Sequence, residues 1–354
     1  MCSSRRRRPR RHNVAARQGR VVLLVPLVLA LGGCWAKSGP EVIVYTALDQ
    51  EFSEPIFADF TAQTGITVRP KFDTEATKTV GLAQAIMAES DRPRCDVFWN
   101  NEILNTLRLE EKGLLEAYPS PLGSSFPAMY RSPQNTWHGF AARARVLVVH
   151  TELVPEAERP GSILDLADPA WHGRAGIAKP LFGTTATHAA CLFAAWGDER
   201  AREFFRQLKA NEVQILASNK QVALSVGAGR VAFGLTDTDD AIIEIEKGRP
   251  VAIVYPDQGE DQMGTLFIPN TLAVIRGGPN PEAARRLIDY LLAPQVEMKL
   301  AAGPSAQIPL NPQVGVEVRV ETPQTKKAMA VDFPAAASCW DRAAEFLRNE
   351  FAGG

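Results

Sequence analysis

EVIVYTALDQEFSEPIFADFTAQTGITVRPKF, residues 41–72, decides the fold. It opens on a β-branched run, Glu41 to Tyr45, that reads as a strand ending at Thr46. Phe52, Ile56, Phe57 and Phe60 then recur at helical spacing, predicting a helix over Phe52–Thr64. Gly65 stops it, as a glycine just past a helix end does. Ile66 to Phe72 reads as the next strand. The same alternation continues with a helix over Thr77–Glu89, a strand over Cys95–Trp99 and a helix over Ile103–Lys112. Strand–helix alternation implies parallel strands joined by right-handed crossovers. Ligands in such sheets sit beyond the carboxyl ends of the strands. Here those ends are Thr46 to Asp49, Asp73 to Thr77 and Asn100 to Glu102.

A second α/β segment begins at Arg145-Val-Leu-Val-Val-His150. Its further strands read as Ala175–Ala178, Val213–Leu216, Val231–Leu235 and Val251–Tyr255. Helices are predicted over Thr185–Trp196 and Arg200–Lys209. A strand over Asn270–Ile275 and a helix over Pro281–Leu292 follow, the helix with proline at its start. Pro304 to Pro312 reads as an ordered loop, and Ala335–Phe351 as an amphipathic helix. No internal repeat is visible.

The front end is of another kind. Arg5 to Arg8, Arg10, Arg11, Arg17 and Arg20 precede an apolar run, Val21 to Leu31. Eleven residues are too few to span a hydrocarbon layer of roughly 30 Å. The pattern is that of a secretory signal. Leu31-Gly32-Gly33-Cys34 resembles a bacterial lipobox, which implies cleavage before Cys34, acylation of its thiol and a tether over residues 34–40. Removing residues 1–33 removes eight basic residues and no acid, and the formal charge falls from −1 to −9. That disfavours a nucleic-acid surface. The remaining cysteines, Cys95, Cys191 and Cys339, form no metal-binding spacing. They read as buried thiols, with one disulfide as the alternative.

Seven segments follow one another in order: Val44-Tyr45, Phe60-Thr-Ala-Gln-Thr-Gly-Ile66, Asp96-Val-Phe98, Arg145 to His150, Asp168-Pro-Ala-Trp-His-Gly-Arg174, Glu282-Ala-Ala-Arg-Arg-Leu-Ile288 and Ile308-Pro-Leu-Asn-Pro312. In that order they resemble the periplasmic substrate-binding proteins of ferric-iron ABC importers, within the type II extracellular solute-binding group. The resemblance implies an α/β protein of two lobes, each a mixed sheet flanked by helices. Lobe I would hold residues 41–144 and about 268–312, and lobe II residues 145–267 and about 313–354. Strands near Arg143–His150 and Gly264–Thr271 would cross between them, with a ligand enclosed by hinge bending. It also implies a lipid-anchored, monomeric, periplasmic or extracytoplasmic protein that serves an ABC permease and ATPase. No cofactor is implied, and ferric ion would be cargo.

The ligand positions depart from the family. Its adjacent tyrosine pair falls here on Asp239 and Asp240. Its histidine falls on Asp49, and its glutamate on Asn101 with Glu102 one residue on. Asp49, Glu102, Asp237, Asp239 and Asp240 would then face one cleft. Like charges at close range oppose one another's ionisation, so such a group calls for a cation. Oxygen donors suit ferric or another hard ion, and Asp49, Glu102, Asp239 and Asp240 are the candidate metal ligands. Capping of a helix over Ala241–Lys247 is the structural alternative for the aspartates. On the ligand reading, replacing Asp239 and Asp240 by alanine abolishes binding and leaves the stability of the free protein nearly unchanged.

Phe182-Gly-Thr-Thr-Ala-Thr-His188 stands between a predicted strand and an apolar helix. Gly183, Thr184 and Thr185 would offer N–H and hydroxyl groups to an anion, where the family places its accessory anion. Asn219 falls at another anion-contacting position, and Thr77 and Lys78 could add a cationic contact. A cation with its counter-anion satisfies both constellations. A zwitterionic or cationic organic solute, such as an aminoalkylphosphonate, a polyamine or a thiamine-like ligand, satisfies them as well. His188 reads as a satisfied histidine rather than a ligand, and Trp99 and Tyr45 as core residues or cleft aromatics. No hydrolase motif such as GxSxG or HExxH is present, and no enzymatic activity is expected. A sensory or structural envelope protein on the same fold is a further possibility, since fold does not fix function.

Overall fold

The computed structural model describes residues 39–73 and 79–351; the signal segment, Cys34, Thr77 and Lys78 lie outside them. The chain runs β1 (Glu41–Thr46), α1 (Gln50–Thr64), β2 (Thr67–Phe72), α2 (Val80–Ala88), β3 (Val97–Asn100) and α3 (Leu104–Glu111). β1 pairs in parallel with β2 on one side and β3 on the other. α1 starts two residues earlier than its apolar spacing predicts and buries Phe52, Ile56, Phe57 and Phe60. Gly65 ends it in the left-handed conformation at φ 70°, its N–H donating to Thr61 O. α2 is shorter than expected, with Thr79 preceding it at positive φ.

After β4 (Leu115–Glu116) comes β5 (His138–His150), the longest strand, buried along its whole length. Sequence reading gave only its second half. Arg143 and Arg145 interrupt the apolar run, and Gly139 and three alanines carry little strand propensity. Next come β6 (Ala175–Ala178), α4 (Gly183–Trp196), α5 (Asp198–Ala210), β7 (Gln214–Leu216) and α6 (Asn219–Gly227). They are followed by β8 (Phe233–Asp237), α7 (Thr238–Glu246), β9 (Val251–Val254) and β10 (Phe267–Ile275). The chain ends with α8 (Pro281–Leu291), α9 (Pro294–Ala302) and α10 (Phe333–Phe351). α6 and α9 were not anticipated. α7 begins three residues before the expected Ala241, which places Asp239 and Asp240 inside its first turn.

The strands follow the order β2-β1-β3-β10-β5-β8-β6-β7, with β4 added to β10 and β9 to β5. β5 changes partners in mid-course. Its first half, to Ala144, is antiparallel to β10. From Arg145 on it is antiparallel to β8 and β9. A bulge at Pro269/Asn270 interrupts the β5–β10 register. Opposite it, Ala141 has φ 42° and its N–H donates to the buried Glu297 carboxylate at 2.6 Å. Glu297 also accepts from Leu310 and Asn311 N–H, both at 2.9 Å. Ala142 and Ile308 exchange backbone bonds, so Pro304–Pro312 is an ordered loop tied to β5.

α6 lies close on β8. A Cβ at Gly234 would stand 2.4 Å from Val222 Cγ1 and 2.7 Å from Gly176 O, so no side chain fits there. That approach sets Asn219, the first residue of α6, over the end of β8. α10 packs on α4 through Phe346 and Phe193, whose ring centroids are 6.0 Å apart. Cys95, Cys191 and Cys339 are buried free thiols.

Candidate functional site

β8 delivers its last residue, Asp237, and the first turn of α7, Asp239 and Asp240, to one place. One carboxylate oxygen from each of the three lies within 4.8 Å of the others. The cluster lines a cavity of about 30 Å³, with Asp49 at the start of α1, Asn101 after β3, and Gly183 and Thr184 opening α4. Asn219 lines it too. These eight are sequence candidates that the fold brings together. Lys179 and Lys220 also face the cavity and were missed. So was the pair of arginines beneath it.

Arg143 and Arg145 are both fully buried on β5. Arg143 Nε donates to Asp239 Oδ2 at 3.0 Å, and its other nitrogens reach Asn101 O and Asn270 Oδ1. Burial works against its charge, but the carboxylates of Asp239, Asp237, Asp49 and Asp240 outweigh burial and raise its pKa. Arg145 Nη1 lies 2.7 Å from Asp237 Oδ1 and also donates to Thr184 Oγ1 and Asn219 Oδ1. Arg145 Nη2 donates to Thr185 Oγ1 at 3.1 Å. Asp237 and Asp239 are therefore each paired with a guanidinium from within the chain. The signal was present in the sequence: two arginines at i and i+2 of a strand share one face.

Asp237 is engaged at both of its oxygens. Its Oδ2 accepts from Thr184 Oγ1 and from Asn219 Nδ2 at 3.0 Å. Asn219 Nδ2 also reaches Thr184 Oγ1 at 2.7 Å, and Thr185 Oγ1 donates to Asn219 Oδ1 at 2.9 Å. Thr185 thus serves the site through Arg145 and Asn219. Asp237 is the N-cap residue of α7 by position, but its side chain makes no capping bond. Asp239 and Asp240 lie in the first turn of α7, where their charges also favour the helix dipole. Lys220 pairs with Glu51 at 3.2 Å. Burial lowers the Lys220 pKa, and Glu51 with the Asp49 and Asp240 charges more than restores it.

Glu102 stands apart from the cavity. It is fully buried and accepts from Leu104 and Asn105 N–H at the start of α3, from Asn100 Nδ2 at 2.6 Å and from Thr187 Oγ1 at 2.9 Å. Four donors converge on it, and none comes from the cavity wall. Its neighbour Asn101 faces the cavity instead, 6% exposed and with its Oδ1 lacking a hydrogen-bond donor. Trp99 is core, set against Phe57 and Phe140. Tyr45 donates to Glu89 away from the site. His188 is buried, and burial together with the Arg145 charge lowers its pKa to about 3. It is neutral at ordinary pH.

Residues 105–337 match the family model of the bacterial extracellular solute-binding proteins. This chain belongs to that family. As a solute-binding protein it is 26% identical over 289 residues to iron uptake protein A1 of Synechocystis sp., covering 77% of this chain and 78% of that one. Iron-bound HitA from Pseudomonas aeruginosa superposes with a TM-score of 0.79 at 23% identity, over 88% of this chain and 99% of HitA. AfuA from Actinobacillus pleuropneumoniae, with fructose-6-phosphate bound, gives a TM-score of 0.79 at 21% identity, over 90% of this chain and 100% of AfuA. The fold is that of the type II periplasmic binding proteins. Likeness at that identity fixes the fold and leaves the solute to the site's own chemistry. No helix among the described residues is long and apolar enough to cross a membrane.

Proposed function

We propose that this solute-binding protein captures ferric ion, or another hard cation, for an ABC permease and ATPase. The observation that carries this reading is the convergence of Asp237, Asp239 and Asp240 within 4.8 Å in a cavity of about 30 Å³. On that measure a single water needs about 10–15 Å³, so the space admits an ion with one or two waters. Asp239, Asp240 and Asp49 supply charged oxygen to the ion, and the Asn101 amide oxygen adds a neutral donor. Arg143 and Arg145 hold Asp239 and Asp237 in place, so the ligand oxygens are set before the ion arrives. Asp49 and Asn101 come from one half of the sheet, and the α7 aspartates from the other. An ion joining them closes the two lobes about the partner change at Ala144/Arg145, with lobe boundaries at residues 41–144 and about 268–312 against 145–267 and about 313–354. Cleavage before Cys34 and its acylation would tether the monomeric protein to the cell envelope.

The test is metal content of the mature protein purified without chelator, by elemental mass spectrometry, with native mass spectrometry on the same sample. Iron near one per chain supports the reading. Absence of metal together with a retained organic mass would replace it with a zwitterionic solute held between the aspartates and Lys179, Lys220.

A further inference from the structure

Two of the side chains that the sequence assigns to an accessory anion, Thr184 and Asn219, already hold a carboxylate. Thr184 hydroxyl, the Asn219 amide and the Arg145 guanidinium all donate to the two oxygens of Asp237. The Thr185 hydroxyl and the remaining terminal nitrogen of Arg145 are spent within the same cluster. We infer that the Asp237 carboxylate is a built-in replacement for a co-bound oxyanion, so that this chain takes its cation without phosphate, carbonate or a carboxylic acid as partner. The inference rests on the cation reading of the pocket and deepens it.

Three physical arguments support it. Asp237 is covalently part of β8, so it meets these donors at no cost in translational freedom, which a free anion must lose. The charge-assisted bonds from Arg145 are the strong ones in the cluster, and Asp237 has them at 2.7 Å. An incoming oxyanion would also lie beside Asp239 and Asp240, whose like charges oppose the pull of Lys179 and Lys220 on it.

The experiment uses inorganic phosphate as probe and needs no metal. Phosphate is titrated by calorimetry into the metal-free wild-type protein and into Asp237→Asn, and both are melted with and without phosphate. The expected wild-type result is no binding heat and no phosphate-dependent melting shift. In Asp237→Asn the buried Arg145 loses its counter-charge. That variant should melt lower, recover in phosphate, and bind phosphate about tenfold or more tightly than wild type, as charge-assisted bonds to a guanidinium imply. Phosphate binding by the wild-type protein overturns the inference. So does an Asp237→Asn protein that gains no phosphate affinity. Should that variant fail to fold, the wild-type titration decides alone, since silence supports the inference and binding overturns it. Failure to bind iron would sink the cation reading but leave this phosphate result standing.

Discussion

Arg145 and Asp237 face one another in register across the antiparallel pair β5–β8, their side chains joined at 2.7 Å and almost wholly buried. The pair sits where β5 leaves β10 for β8. It therefore fixes the solute site and the partner change at once. Removing one member leaves the other charged in a low-dielectric interior, which costs about 3–5 kcal/mol. Arg145→Met is expected to lower unfolding free energy by that amount, measured by guanidinium denaturation. A loss below 1 kcal/mol, the scale of an exposed pair, would show that water reaches the site.

Asp239 and Asp240 are adjacent, yet they answer to different forces. Asp239 is bonded to the buried Arg143 at 3.0 Å, whereas Asp240 is half-buried in the first turn of α7. Asp239→Ala should cost about 3–5 kcal/mol of stability by stranding Arg143. Asp240→Asn should cost no more than about 1 kcal/mol, the scale of a first-turn charge against the helix dipole. Both should weaken cation binding by at least tenfold in competition with a chelator. Unchanged affinity in Asp240→Asn would remove that carboxylate from the site. The Arg143 pairing argues against the sequence expectation that alanine at both positions spares stability, and it was hidden because the guanidinium comes from a strand 96 residues away.

The alternation of β1, α1, β2, α2, β3 and α3 was legible because each element carries its own apolar period and its own stop, as Gly65 shows for α1. The loops at the carboxyl ends of β1 and β3 were legible for the same reason and contain Asp49 and Asn101, whereas the ligand roles given to these two and to Asp237 came from the family resemblance. What stayed hidden depends on contacts between distant segments. Glu102 and Asn101 are neighbours, and nothing local says which one turns toward α3 and which toward the cavity. β5 was half-hidden because its arginines break the hydrophobic run that normally marks a buried strand. Their carboxylate partners on β8 make them tolerable there, and those partners are visible only once the strands are paired.

His188 is expected to make the protein sensitive to mild acid. Its folded pKa is lowered from 6.5 to about 3 by burial and by Arg145. Burial lowers that of His138 as well, with the Tyr118 carbonyl and Asp289 opposing it. A depressed histidine takes its proton only on unfolding, so the unfolded state binds more protons and stability rises with pH across this window. Below pH 6.5 stability should fall, with His188 alone contributing about 2 kcal/mol of loss at pH 5. Denaturation curves at pH 7.5 and pH 5 measure this directly. His188→Gln should show a smaller difference between the two, and an equal difference would place the acid sensitivity elsewhere.

Glu102 separates a structural acid from a ligand acid. Its two oxygens receive the Leu104 and Asn105 N–H groups, the Asn100 amide and the Thr187 hydroxyl, so it joins α3 to α4 underneath the site. Glutamine has the same shape but replaces one accepting oxygen with a donor, which would then face N–H or O–H groups in a dry environment. Leaving such donors unsatisfied costs about 1–3 kcal/mol, and more where the lost acceptor was charged. Glu102→Gln is therefore expected to destabilise the protein by at least that amount while leaving its affinity for cation within about fivefold of wild type, since a change of less than 1 kcal/mol at the site corresponds to no more than that. The two measurements are a denaturation midpoint and a chelator-competition titration on the same preparation. If affinity falls tenfold while stability holds, Glu102 reaches the ion when the lobes close, and its bonds to α3 are exchanged for a metal bond.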